Sequence, residues 1–280
     1  MILTESTGLT DVGRKRKGNE DSLFLDDGLG LYVVADGMGG HRAGEIASQL
    51  VVKTISEYIL QSKNNGNAEK NNRQDMTLSQ EANVLLSGIQ LSNEVVHEAS
   101  LDNEACRGMG STVSAVYFSS GTFIVANVGD SPIYLIRDGK IKLISVIHSV
   151  LAEQAAIDPE NAQRLGREFR HVLTRAMGTE GSVKADIYEI QCFKDDILVI
   201  SSDGLSDKAS PDEILELVNQ NELDTACQKL VKLANDRGGE DNVTTIVLKV
   251  KMIKNTRLNL TRMKAITSRY FSRFFTSGKT

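Results

Sequence analysis

LYVVADGMGGHRAG, residues 31–44, decides how this chain is read. Leu31 to Ala35 is an apolar run that ends on Asp36, and Gly37, Gly39 and Gly40 follow before a helix begins near Ala43. The run has the length and composition of a buried strand. The glycines permit positive φ and close backbone approach. A carboxylate is therefore presented at a strand end, over a bare backbone turn, where it could hold a hard cation. A single Asp-Gly pair would mark only a turn.

The arrangement recurs. Ile197 to Ser202 (ILVISS) ends in Asp203-Gly204, and Phe123 to Val128 (FIVANV) leads into Gly129-Asp130. In Gly238 to Asn242 (GGEDN), Asp241 stands just before the run Val243 to Val250. Four aspartates thus lie against the ends of β-type runs. If those ends share one edge, the carboxylates converge, and buried like charges repel unless cations neutralise them. Oxygen ligands without His or Cys favour magnesium, manganese or calcium over zinc.

The 280 residues suffice for one large domain or two small ones, and 40% hydrophobic with 25% charged residues is ordinary for a soluble globular protein. No apolar stretch approaches the roughly 18 residues of a membrane span. The N-terminus, MILTESTGLTDVG, has no signal-peptide pattern. Cys106, Cys192 and Cys227 form neither a disulfide framework nor a zinc spacing and read as small buried hydrophobes. A cytoplasmic, monomeric protein is expected, with no nucleic-acid partner. The net charge of −5 is uneven: residues 251–280 carry eight basic residues and no acid, so the remaining 250 carry a net −13.

In chain order, residues 2–10 and 22–26 read as strands. Between them Arg14, Lys15, Arg16 and Lys17 precede Asn19-Glu20-Asp21, either a solvated charged loop or a site that holds an anion beside a cation. Residues 43–61 keep a helical stripe, 62–77 form a polar, Asn-rich loop, and a second helix covers roughly 78–100. The runs 112–118, 123–128, 133–137 and 140–145 predict a meander, with Asp138-Gly139 as a hairpin turn. Residues 146–170 predict a helical insertion with a turn at Asp158-Pro159. Strands follow at 183–190 and 197–202, helices at 212–219, opened by Pro211, and at 223–236, and a last strand at 243–250. The pattern is that of an α+β layered domain.

This ordered set resembles the metal-dependent serine/threonine protein phosphatases, the PPM or type 2C family, in its bacterial form. The matching stretches are Arg16 with Asn19-Glu20-Asp21, ADGMGGHRAG at 35–44, GMGST at 108–112 and NVGDS at 127–131. VLTRAMG at 172–178, SDGLSD at 202–207 and GGEDNVT at 238–244 complete it, over roughly residues 4–250. Any one of these is weak alone; together they stand in family order.

The resemblance implies an α-β-β-α sandwich, two antiparallel sheets flanked by helix pairs, with two manganese or magnesium ions at one end. It implies that Asp36 bridges both cations and the Gly37 carbonyl adds to one. Asp203 and Asp241 complete the other, Asp21 acts through bound water, and Asp130 with Asp203 holds a third, weaker cation. Arg16 would clamp the substrate phosphate, and 146–170 would be the flap beside the site. The implied reaction is hydrolysis of phosphoserine and phosphothreonine by a hydroxide bridging the two metals, usually opposing a kinase. The alternative is a relative that only binds phosphoproteins, which lacks chelator-sensitive hydrolysis of p-nitrophenyl phosphate.

Three positions depart from the family pattern. Met38 stands where animal relatives carry a His proposed as general acid, Pro132 where an Arg is common, and Ile147 where an Asp usually precedes the His. His41 and His148 read as structural histidines. The phosphatase domain is expected to end near Val250. Beyond it Leu260, Met263, Ile266, Tyr270, Phe271 and Phe274 recur at helical spacing among basic residues, as in a segment that attaches to a partner or an anionic membrane surface.

Overall fold

Every side chain from Leu31 to Ala35 is fully buried, because the strand that carries them is covered on both faces. Leu31, Val33 and Ala35 point to one apolar cluster, and Tyr32 and Val34 to another. Fully burying one such side chain contributes about 1.5–3 kcal/mol. The computed structural model describes residues 2–39, 42–65 and 75–253. Of the segments read above, the loop glycine Gly40, His41, most of the Asn-rich loop and residues 254–280 lie outside the described residues.

The strands are β1 (Ile2–Asp11), β2 (Asp21–Asp26), β3 (Leu31–Met38), β4 (Gly110–Ser111), β5 (Val113–Ser119), β6 (Thr122–Val128), β7 (Ile133–Arg137), β8 (Lys140–Leu143), β9 (Asp186–Gln191), β10 (Ile197–Ser201) and β11 (Val243–Ile253). The helices are α1 (Arg42–Asn65), α2 (Gln80–Asp102), α3 (Val150–Ile157), α4 (Pro159–Ala162), α5 (Asp203–Ser206), α6 (Pro211–Asn219) and α7 (Leu223–Asp236). One sheet has the order β1-β11-β10-β7-β8. The other runs β2-β3-β5-β6-β9, with β4 paired to β3, and every pairing is antiparallel.

Three apolar clusters separate four layers. Tyr32, Phe123 and Val125 meet Leu198, Ile200 and Leu248 between the sheets. Helices α1 and α2 cover the outer face of the second sheet, with Ile55 and Ile89 fully buried there. Helices α6 and α7 cover the first through Ile214, Ala226 and Leu230. The fold is the expected α-β-β-α sandwich. Helix α6 opens on a capping box, in which Ser210 accepts from the Glu213 N–H and Glu213 reaches back, with Pro211 in its first turn.

The predicted four-strand meander is corrected to two hairpins in different sheets. Strands β5 and β6 pair in one sheet, and β7 and β8 in the other, turning at Asp138 (φ 51°) and Gly139 (φ 70°) as read. Between the hairpins Gly129 takes φ 103°, and Pro132 has no N–H to give a ladder, so the chain crosses from sheet to sheet there. Strand β11 also continues to Ile253, beyond the expected end at Val250, because Met252 and Ile253 pair with Leu3 and Ile2. Residues 150–170 form α3, α4 and a short 3₁₀ turn at Arg167–Arg170.

Antiparallel pairing sends the ends of β3, β6 and β10 and the start of β11 to one edge of the sandwich. The registers Val113↔Val128, Ile200↔Ile133 and Ser201↔Thr245 fix this.

Candidate metal centre

Asp36 leaves β3 opposite Asp21 of β2. Its N–H donates to Thr112 Oγ1 at 3.0 Å, and its carbonyl accepts from the Thr112 N–H at 2.8 Å and from Ser111 Oγ at 3.0 Å. The next turn is tight: a Cβ on Gly37 would lie 2.0 Å from the Gly44 carbonyl oxygen. Asp130 follows the Gly129 turn, and Asp203 opens α5 directly after β10. A Cβ on Gly204 would meet the Asn242 carbonyl oxygen at 2.0 Å, so the Asp203 turn and the Asp241-Asn242 loop are in backbone contact.

Asn242 ties the basic loop to this edge. Its Nδ2 donates to the carbonyls of Val12 (2.9 Å) and Gly18 (3.0 Å), and its Oδ1 accepts from the Glu20 N–H (2.8 Å). The N–H groups of Arg14 and Lys15 donate to the Gly239 carbonyl. Arg16 is thereby held over the site, with Nη2 2.8 Å from Asp241 Oδ2. Arg16, Asp36, Gly37, Asp130, Asp203 and Asp241 line one open pocket of about 560 Å³. Asp21 is buried and is not among the residues lining that pocket. Its Oδ2 accepts from Ser202 Oγ at 2.8 Å, and that hydroxyl accepts from the Thr244 N–H at 3.0 Å. Asp21 Oδ1 has no hydrogen-bond partner.

Burial and mutual repulsion raise the proton affinity of the cluster. Asp36 is pushed well above the carboxylate range, first by desolvation and then by Asp21, Asp203, Asp130 and Asp241. Desolvation drives Asp21 to about 7 against the hydrogen bond from Ser202. Asp130 also rises to about 7 through burial and the neighbouring Asp203.

Sequence reasoning missed His171. Its Nδ1 lies 3.2 Å from Asp203 Oδ2 and its Nε2 3.3 Å from Asp207 Oδ2. Asp130, His171 and Asp203 bring one ligand atom each to within 4.8 Å of one another. The bond to Asp203 raises the His171 pKa. His148 is a structural histidine, as read. It is fully buried, Nδ1 accepts from the Gly129 N–H at 3.1 Å, and Nε2 meets Asp186 Oδ2 at 2.7 Å. Desolvation lowers its pKa. The three cysteines are buried, and burial pushes the Cys192 thiol to about 11 and the Cys227 thiol to about 12.

The sequence profile of the protein phosphatase 2C family matches residues 14–247. The chain belongs to that family. A putative protein phosphatase 2C-type of Streptococcus pyogenes serotype M6 is 35% identical over 243 residues, covering 84% of this chain and 93% of the relative. Among solved structures, the serine/threonine phosphatase PstP/Ppp of Mycobacterium tuberculosis is similar with TM-score 0.77 and 27% identity, over 90% of this chain and 100% of that one. The catalytic domain of the phosphatase PstP in complex with two manganese ions is similar with TM-score 0.73 and 28% identity, again over 90% and 100%. As a protein phosphatase 2C, the chain is a metal-dependent serine/threonine phosphatase. Its residues fit such ions: the donor set around Asp36 is oxygen, the carboxylates are crowded, and the unpartnered Asp21 Oδ1 is free to accept from an ion's water shell.

Proposed function

We propose that the chain removes phosphate from phosphoserine and phosphothreonine of proteins at the pocket walled by Arg16, Asp36, Asp130, Asp203 and Asp241. The observation that carries the assignment of residues is the convergence of four strand-end carboxylates and one guanidinium on a single cavity. In this reading Asp36, the Gly37 carbonyl, Asp203 and Asp241 would hold a pair of divalent ions, with Asp36 as the ligand common to both. Asp21 would act through water, and Asp130 with Asp203 would hold a third ion. When bound, the ions supply Lewis acidity, which acidifies water at neutral pH and offsets charge on the phosphoryl oxygens.

The rest is positioning by the chain. The Arg16 fork can donate two parallel N–H bonds to a phosphate. Its loop is fixed by Asn242 and Gly239, so little conformational freedom is lost on binding. Ser202 orients Asp21 from behind. The three thiols are buried and none lines the pocket, so no covalent phosphoenzyme is formed on cysteine.

The reading extends to a monomer that opposes a serine/threonine kinase in the cytoplasm. Among the described residues no helix is long and apolar enough to cross a membrane. The basic residues after Ile253 would attach the enzyme to a partner or an anionic membrane surface. The deciding test is hydrolysis of p-nitrophenyl phosphate and of phosphothreonine peptides with manganese, abolished by chelation and by Asp36→Asn. Full manganese-dependent activity in folded Asp36→Asn would overturn the assignment.

A further inference from the structure

A second open cavity, about 630 Å³, adjoins the metal pocket and shares Asp130, His171 and Asp203 with it. Its character is different. Pro132, Tyr134, Leu143 and Ile147 lie on one side, Leu151 and Ala155 of α3 on another, and the segment 206–213 closes the third. Asp130, His171 and Asp203 stand on the rim shared with the metal pocket, and the other charged groups that reach the cavity each have an ion-pair partner. Arg170 meets Asp207 at 3.0 Å, Arg237 meets Glu213, and Lys208 meets Glu240. Beyond that rim the cavity therefore offers an incoming chain an apolar surface rather than an open charge.

Helix α3 points the same way. Six of its eight residues, all but Glu153 and Gln154, are apolar, and none is buried. Ile157 at its end is 81% exposed. A helix apolar on all sides is ordinarily a buried helix.

We infer that this groove is a specificity subsite that takes a large apolar side chain of the substrate protein, two to four residues from the phosphorylated serine or threonine. Continuity fixes the occupant. A polypeptide whose phosphate lies among Asp36, Asp203 and Arg16 must leave the metal pocket across its rim, and the groove opens on that rim through Asp130 and His171. An extended chain rises about 3.3 Å per residue, so a residue two to four positions away reaches into it. The inference rests on the phosphatase reading.

The test uses the full-length enzyme with manganese and a set of phosphothreonine peptides in a Gly/Ser background, with one Leu moved from four residues before the phosphothreonine to four after. One Leu position is expected to raise kcat/KM by about 10-fold over the peptide without Leu, within the range an apolar pocket provides. Leu151→Asp, and separately Ala155→Glu at an exposed position, should remove most of that gain and leave p-nitrophenyl phosphate hydrolysis within about twofold of wild type. A wild type that hydrolyses the small ester but is indifferent to Leu at every position overturns the groove and leaves the phosphatase reading standing. So does a fall in small-ester hydrolysis as large as the fall on the Leu peptide. A wild type inactive on every phosphoester overturns the phosphatase reading, and the groove with it.

Discussion

Removing divalent ions should make the protein less stable as pH rises from 5 to 8, and the structure sets the size of the effect. Asp21 carries a folded-state pKa of about 7 against an ordinary 3.8, because it is desolvated among other carboxylates. Each unit of difference corresponds to 1.36 kcal/mol, so the shift is worth about 4 kcal/mol over its full range. Between the two pKa values the folded chain holds a proton that the unfolded chain has released. Stability is therefore greatest below pH 4 for this group, falls as pH rises, and levels off above pH 7. About 3 kcal/mol of the loss falls between pH 5 and 8, roughly 6–12 °C in Tm for a chain of this size. Asp130, also near 7, acts in the same direction. The opposite behaviour of Glu213 and Glu240, held down to about 2 by Arg237 and Lys208, lies below this window. The assay is thermal unfolding in EDTA at pH 5, 6, 7 and 8, repeated with saturating manganese. Manganese binds the ionised carboxylates, so it should abolish or invert the slope. Asp21→Asn, which cannot ionise, should reduce the slope in EDTA and leave the part that Asp130 contributes. A Tm in EDTA that is constant or rises from pH 5 to 8 would refute the reasoning.

Other outcomes follow from named contacts. Arg16→Ala should raise KM for a phosphoester more than it lowers kcat, and steady-state kinetics with an unchanged KM would exclude Arg16 as the phosphate clamp. Gly204→Ala must separate the Asp203 turn from the Asn242 carbonyl 2.0 Å away, so kcat/KM should fall on the order of 100-fold while circular dichroism stays native. His148→Phe leaves the Gly129 N–H and Asp186 without their ring partner and should destabilise by about 3 kcal/mol in urea unfolding. A chain ending at Ile253 should keep small-ester hydrolysis and lose sedimentation with anionic vesicles; loss of hydrolysis would make the basic segment structural.

Strands covered on both faces were legible because burial on two sides writes a continuous apolar run, as at Leu31–Ala35 and Ile197–Ser201. The carboxylates were legible because each stands where such a run stops. Asp138-Gly139 carried its turn chemistry, and Pro211 its preference for a first helical turn, in the local sequence. The change of sheet between Val128 and Ile133 was not legible, since alternation along a strand says nothing of which strand lies beside it. Nor was the end of β11. Lys251 and Met252 are exposed and read as tail, and the Glu5 carboxylate that pairs with Lys251 is far away in sequence. His171 reaches Asp203 across 32 residues and leaves no local mark at all.

The pairing of β1 with β11 also governs when the enzyme can come into being. Thr10 lies against Thr244, and the Arg16 loop just after β1 is moored to Gly239 and Asn242 just before β11. The first strand made must therefore wait for the last, roughly 10–50 s at ordinary rates of synthesis. Until then β1 is an unpaired edge and the pocket lacks Asp241. A nascent or prematurely terminated chain thus has no working site, and activity begins only when the two ends of the fold have met.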